Sequence, residues 1–356
     1  MKEKYSKIKG MVTQREIDKK IIDEMYKDGF LYAKFGEYFR RSHGYKIFKV
    51  PISADFVCPN WDGRISKEGC IFCPDFAKQF SHESLRRVMH KNLKEQIKEQ
   101  ILYHKSVGAG EKFLVYCAFG TETYASLDKL KAVYDQVLDH EDVVGLSIGT
   151  RPDCLPDEVL DLLEEYVDQG YEVWLEIGQQ SCHYHTCEMV NRGHGFAELI
   201  DVMRRIRGRG ILVSVFIILG LPYETPNEMI ENARILSALG VDAIKIYPLL
   251  VMKRTRLLNY YNSGKYRPLS KLEYLSLVAD FLENLSPYIL IQRISKDAGV
   301  EEKVAPKWNT HRFLIGPEIE KILMLRGSRQ GSKFKLGLDV EELKPLVRDT
   351  RMADLP

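Results

Sequence analysis

From residue 47 onward the chain repeats one pattern six times, a short run rich in Val and Ile followed by a longer amphipathic stretch. Such alternation marks βα units, whose strands lie parallel and whose helices carry the chain back across the sheet. The predicted strands are Ile47 to Ser53, Phe113 to Ala118, Val143 to Ile148, Glu172 to Ile177, Leu212 to Leu219 and Ala243 to Tyr247. The predicted helices between them are Glu83 to Lys105, Leu127 to Leu138, Asp157 to Val167, Phe196 to Arg207 and Pro226 to Leu239. Ser126 and Pro156 sit at helix starts, and Gly170, Gly210 and Gly240 just past helix ends. Six parallel units with right-handed crossovers curl into an open, three-quarter barrel. A doubly wound sheet is the other arrangement the pattern permits. In both, chemistry belongs to the loops leaving the carboxyl ends of the strands.

The predicted fold class is therefore α/β, a partial (βα)6 TIM-like barrel over residues 43–250. Residues 1–42 read as helical and coil segments packed outside it. Past Tyr247 the rhythm loosens into Lys-, Arg- and Tyr-rich sequence, then a helix over Lys271 to Asn284, a strand over Ile289 to Ile294 and a helix over Ile315 to Met324. Residues 251–356 form a C-terminal extension expected to close the barrel's open side and face the substrate.

The loop after the first strand reads ADFVCPNWDGRISKEGCIFCPDF, with Cys58, Cys70 eleven residues on, and Cys73 two residues later. Three thiolates on one loop can hold three irons of a [4Fe-4S] cubane and leave the fourth iron open. An open iron is what S-adenosylmethionine (SAM) requires, because its amino and carboxylate groups chelate that site. Gly63, Gly69, Pro59 and Pro74 permit tight turns, and Ile71 and Phe72 can shield a cluster. A zinc site of three cysteines completed by His43, His82 or another ligand is the alternative, since paired cysteines are common in zinc ribbons. Zinc ribbons usually bring a second knuckle, and Cys182 and Cys187 stand far downstream after the fourth strand. Cys117 and Cys154 read as small buried hydrophobes.

Seven cysteines, three of them within sixteen residues, fit a reducing compartment and metal chemistry better than a disulfide framework. The charged opening MKEKYSKIKG lacks an apolar core and does not read as a secretory signal. The longest apolar run, Ile211 to Leu219, is too short for a membrane span, so a soluble, cytoplasmic protein is expected. A net charge of +2 neither demands nor excludes a polyanionic partner.

The cysteine loop, YCAFGTETYA at 116–125, GLSIGTRPDCLPDEVLDLL at 145–163, LEIGQQS at 175–181, NRGH at 191–194 and GLPYE at 220–224 together resemble the YhcC-type radical SAM proteins. That family is similar in its core to the Elongator catalytic subunit and to relatives of oxygen-independent coproporphyrinogen oxidase. The resemblance spans about residues 35–335 and implies a cluster-bound SAM cleaved to a 5'-deoxyadenosyl radical, with Cys58, Cys70 and Cys73 as ligands. It places Gly120, Thr121 and Glu122 at the SAM amino group, where a carboxylate meets an ammonium. Ser147, Thr150 and Arg151 are implied at the SAM carboxylate or ribose; Asp153 and Asp157 offer Arg151 a purely structural use. Glu176 is expected to accept hydrogen bonds from ribose hydroxyls or from Arg192, with Gln179 assisting. Ile218, Gly220, Glu224 and Tyr247 are implied to cradle adenine. Trp61, Glu68, LEIGQQS and the segment around ISKDAG depart from the family pattern.

The substrate stays open between a tRNA wobble nucleoside and a small metabolite or peptide. A non-catalytic module that binds a cluster, haem or zinc is a third reading. Basic clusters at Lys253, Arg254 and Arg256, at Lys307, His311 and Arg312, and at Arg326, Arg329, Lys333 and Lys335 speak for RNA, with Tyr260, Tyr261, Tyr266 and Trp308 interleaved. An electron donor such as flavodoxin or ferredoxin is the other expected partner.

Overall fold

Parallel strands buried on both faces require near-continuous apolar sequence, and this chain supplies it in the order the βα rhythm predicts. The computed structural model describes residues 17–74, 91–117, 120–296, 302–308 and 310–336. Helices α1 (Lys19–Lys27) and α2 (Phe35–His43) precede β1 (Ile47–Ile52). Then come α3 (Leu93–Ser106), β2 (Lys112–Cys117), α4 (Leu127–Leu138), β3 (Val143–Thr150), α5 (Asp157–Asp168) and β4 (Glu172–Gln180). The chain continues through α6 (Tyr184–Met189), α7 (Ala197–Arg205), β5 (Leu212–Leu219), α8 (Pro226–Leu239) and β6 (Ala243–Pro248). It ends with β7 (Val251–Met252), α9 (Arg256–Asn262), α10 (Lys271–Asn284), β8 (Leu290–Arg293), β9 (Lys303–Ala305) and α11 (Arg312–Leu325).

Strands β1 to β6 pair in sequence order and all in parallel, and β8 adds a seventh parallel strand beside β6. The six-stranded expectation is therefore extended: the last strand of the half-barrel comes from the segment beyond residue 250. Helix ends follow the local signals. Ser126 and Pro156 occupy the N-cap positions of α4 and α5, Thr225 forms a capping box with Glu228 on α8, and Gly240 closes α8 in the left-handed region at φ 76°. The predicted helix from Glu83 begins at Leu93 on an Asn92 cap; residues 83–90 lie outside the described residues.

The first helices do not pack outside the barrel as expected. Ile22 and Met25 of α1 and Tyr38 and Phe39 of α2 share one buried cluster with Leu114, Trp174, Leu212, Ala243 and Leu290. They plug the barrel's amino end, with the Phe35 ring 5.1 Å and the Phe39 ring 5.9 Å from Trp174. The plug fills the lumen at the amino ends of the strands.

Paired residues on neighbouring strands point to one face, and register therefore sets the lumen wall. Gly149 pairs with Glu176, Glu176 with Ser214, Phe216 with Lys245, and Lys245 with Arg293. Above the apolar plug the lumen thus carries a polar layer, crowned by Tyr116, Phe216 and Tyr247. Periodicity finds the strands but does not by itself reveal that this inner layer is charged.

Candidate active site at the carboxyl rim

The loop from β1 to α3 is pinned by its own backbone. Trp61 and Asp62 donate to the Cys58 carbonyl at 2.8 and 3.1 Å, Gly69 to Asn60 at 2.8 Å, and Cys73 to Cys70 at 3.0 Å. Gly69 is obligatory: its φ is 64°, and a Cβ there would stand 2.3 Å from the Trp61 ring. The loop is also tied to neighbours, Ile71 donating to Val190 at 3.0 Å and Leu257 to Ile71 at 2.8 Å.

Side chains fix the thiols from beyond the loop. Asn60 donates through Nδ2 to the Asn191 carbonyl at 2.7 Å and lies 3.5 Å from the Cys70 sulfur. Asn191 in turn donates to the Gly69 carbonyl at 2.6 Å. Arg192 places Nη1 3.5 Å from the Cys70 sulfur and bonds the Gly178 carbonyl through Nη2. Asn60 and Asn191 bear no signal beyond their places in CPN and NRGH. Burial, with the Cys70 and Cys58 thiols close by, pushes the Cys73 thiol up to about 12. Metal ligation needs the thiolate, so cluster binding and loss of these protons must occur together.

The residues implied by the resemblance fall into three groups. At the rim, Thr121 donates its backbone N–H to Val57 at 3.0 Å and Glu122 its own to Gly149 at 2.9 Å. Both side chains are buried, and a Cβ on Gly120 would meet the Phe56 carbonyl at 2.5 Å. Thr150 bonds Thr123 at 2.6 Å. Arg151 makes a two-pronged bond to Asp153, both arms 2.8 Å, while Asp157 pairs with Arg205 instead. Gln179 donates to the Ser181 and Gly195 carbonyls at 2.8 and 3.0 Å.

A second group stands in the lumen. Glu176 bonds Lys49, Lys245 and the Ser147 hydroxyl, the last at 2.6 Å. The expected Glu176 to Arg192 bond is therefore corrected: Arg192 is committed to Gly178 and Cys70, and Glu176 faces inward below it. Ser147 belongs with Glu176 and Lys49 rather than with the rim, because it projects from the middle of β3. Tyr247 stands edge-on to Phe216 at 4.4 Å between centroids, 3.3 Å from Arg293 Nη1. Ile218 and Gly220 form the third group, at the end of β5. There the Gly220 carbonyl accepts from Tyr266 at 2.9 Å, and Leu269 fills the space a Cβ would need. Burial pushes the neighbouring Glu224 carboxyl up to about 7, against a 2.5 Å hydrogen bond from Ser181.

Of the fourth ligands considered for a zinc site, His43 is ruled out by its position. His43 lies at the amino end of β1, stacked 5.2 Å from Phe39 and 3.4 Å from Glu172, at the barrel end opposite the cysteines. His82 lies outside the described residues. Cys182 and Cys187 are buried, and the Cys187 thiol bonds the Ser181 carbonyl at 3.3 Å. Cys117 and Cys154 are buried as expected.

The rim holds both donors and acceptors in reserve. Arg151 Nη1, Arg192 Nε, Asn60 Oδ1 and Gln179 Oε1 are buried without a hydrogen-bond partner among the described residues. Orphans of this kind are rare, and here two are guanidinium nitrogens beside thiols. Among the described residues no three Cys, His, Asp or Glu side chains converge on one point.

His194, beside Arg192, provides a pH test of this packing. Burial, then the Arg192 charge, holds its imidazole down to about 3. An unfolded imidazole titrates at about 6.5, so its stability contribution is full above that pH and is lost as pH falls toward the folded value. The thermal midpoint of His194→Gln should therefore fall less than wild type between about pH 7 and about pH 5. Parallel declines would remove His194 from the acid response.

The radical SAM superfamily profile matches residues 63–236, and the radical SAM C-terminal domain profile matches residues 241–324. An uncharacterized protein of Methanocaldococcus jannaschii is 46% identical over 318 residues, covering 89% of this chain and 97% of that protein. Protein YhcC of Escherichia coli is 35% identical over 298 residues, covering 84% of this chain and 94% of YhcC. The solved archaeal Methanocaldococcus infernus Elp3 with an N-terminal deletion shares the fold at a TM-score of 0.60 and 18% identity, over 80% of this chain and 64% of that one.

Proposed function

This chain belongs to the YhcC-type radical SAM proteins, and from that premise we propose that it is an enzyme which abstracts hydrogen from a small organic substrate held in the barrel lumen. The carrying observation is the rim, where Cys70 lies beside Asn60 and Arg192 with unpartnered buried guanidinium nitrogens at hand. Cys58, Cys70 and Cys73 would hold a [4Fe-4S] cluster, which with bound SAM supplies one-electron cleavage to methionine and a 5'-deoxyadenosyl radical.

The chain's own residues bind and orient. Glu122, with Gly120 and Thr121, receives the SAM ammonium, and Arg151 and Thr150 stand near its carboxylate. Gln179 and Arg192 stiffen the wall between cluster and lumen, and Ile218 and Gly220 form the apolar side of the adenine site. The plug around Trp174 excludes water from below. Electrons would come from a flavodoxin or ferredoxin in the cytoplasm. Among the described residues no helix is long and apolar enough to cross a membrane.

A tRNA wobble nucleoside is the second reading, favoured by the likeness to the Elongator core. Against it, much of the basic sequence is internally paired: Arg254 with Glu302, Arg256 with Glu68, and Arg326 and Lys333 with Glu283. The interleaved aromatics are committed too, Tyr266 to the Gly220 carbonyl and Trp308 to the Leu269 carbonyl at 3.1 Å. Anaerobic reconstitution with iron, sulfide, SAM and reductant should yield 5'-deoxyadenosine. Adding total tRNA and comparing nucleoside masses separates the substrates: a new modified nucleoside would replace the small-molecule reading. Stoichiometric zinc without iron or acid-labile sulfide would end both. Glu122→Gln should weaken SAM binding about tenfold with cluster content unchanged, a charge-assisted bond becoming a neutral one; equal loss of both would remove its assigned role.

A further inference from the structure

Resting on the reading of the lumen as substrate chamber, we propose that Lys49, Lys245, Arg293 and Lys296 form a receptor for a terminal phosphate group on the substrate. The four cations come from β1, β6, β8 and the turn after β8, and they converge across the open side of the half-barrel. Lys49 and Lys245 meet on Glu176, whose side chain is 3% exposed. Lys245 also stands 4.5 Å from the centre of the Tyr116 ring, and Lys296 5.9 Å from the centre of Tyr247. Arg293 touches the Tyr247 hydroxyl at 3.3 Å.

Among the described residues four cations share one carboxylate. Among the described residues Glu176 is the carboxylate that touches this group, and neither Arg293 nor Lys296 forms an ion pair. Arg293 and Lys296 are solvent-exposed, so this side of the group is open to water. Burial, reinforced by the neighbouring cations, pushes the Lys49 and Lys245 ammonium groups down. Two ammonium groups on one buried carboxylate, with two further cations at the open side, suit a multiply charged anion. Gln292, on β8 between Ile291 and Arg293, adds a buried Nε2 donor without a partner among the described residues.

The position selects the ligand. Arg293 and Lys296 both reach Tyr247 near the carboxyl end of β6, so the receptor opens toward the rim. The apolar plug closes it below, which suits the end of a molecule better than a continuous strand. A phosphate seated here would hold the rest of the substrate upward, toward the rim where the radical forms.

Isothermal titration of the anaerobically reconstituted protein with inorganic phosphate, at constant ionic strength, tests this. Saturable one-to-one binding is expected, tighter than that of acetate. Arg293→Gln and Lys296→Gln should each weaken it about tenfold, the scale of one lost charge-assisted bond, while Arg254→Gln on the surface leaves it unchanged. Ribose 5-phosphate should bind and a phosphodiester dinucleotide should not; the reverse would assign the site to a nucleic-acid backbone and overturn the proposal. Phosphate binding that is absent, or unaffected in both variants, would overturn it as well. Formation of 5'-deoxyadenosine by the same wild-type preparation reports separately on the underlying reading.

Discussion

Cys70→Ala is expected to abolish reductive SAM cleavage while the barrel stays folded. The residue sits on a rim loop whose shape depends on backbone bonds that the substitution leaves alone, among them Gly69 to Asn60 at 2.8 Å and Ile71 to Val190 at 3.0 Å. The substitution removes two weak hydrogen bonds to sulfur, from Asn60 and Arg192, each at 3.5 Å. The stability cost should be about 1 kcal/mol, typical of a point substitution without a large cavity. Function has no such margin. A cubane held by two thiolates loses the geometry that leaves one iron open for SAM. The checks are circular dichroism with thermal unfolding, iron and sulfide content, and chromatographic detection of 5'-deoxyadenosine under reduction. Wild-type yields of that product in the variant would sink the cluster assignment.

The second large effect is on stability. Glu176→Gln preserves shape but removes the counter-charge shared by Lys49 and Lys245, whose side chains are 19% and 10% exposed. Breaking a buried pair from one side typically costs about 3 to 5 kcal/mol, because the remaining charge has no compensation. Here two ammonium groups are stranded, so the destabilisation should reach that range in denaturant unfolding. The cause is separable by a double variant. Adding Lys245→Met removes one of the stranded charges and should recover part of the stability, giving a coupling energy of opposite sign to the single effects. Strict additivity would mean that Glu176 acts through packing and not charge.

The wall of the barrel is legible in the chain because it is built locally. Each strand announces itself by a Val- and Ile-rich run, each return helix by an amphipathic stretch, and several ends by residues such as Ser126, Pro156 and Gly240. The cysteine triplet is equally plain, since its spacing lies within one loop. Asn60 and Asn191 are not, because their role depends on two loops 131 residues apart meeting, through the 2.7 Å bond between these residues among others. Arg151 shows the complementary case: its pairing with Asp153 is local and readable in the sequence, whereas the commitment of Asp157 to Arg205 required a neighbouring helix.

The linear order of residues by itself determined the α/β class, the first six strands and the three-thiol loop that follows the first of them, because hydrophobic period and short-range spacing are properties of contiguous sequence. Only the tertiary structure decided that α1 and α2 plug the barrel, that β8 joins the sheet, and that Lys49, Glu176, Lys245 and Arg293 face one another. These residues come from strands scattered over more than two hundred positions, and which of them share a lumen is fixed by register and barrel closure, quantities that no local pattern encodes.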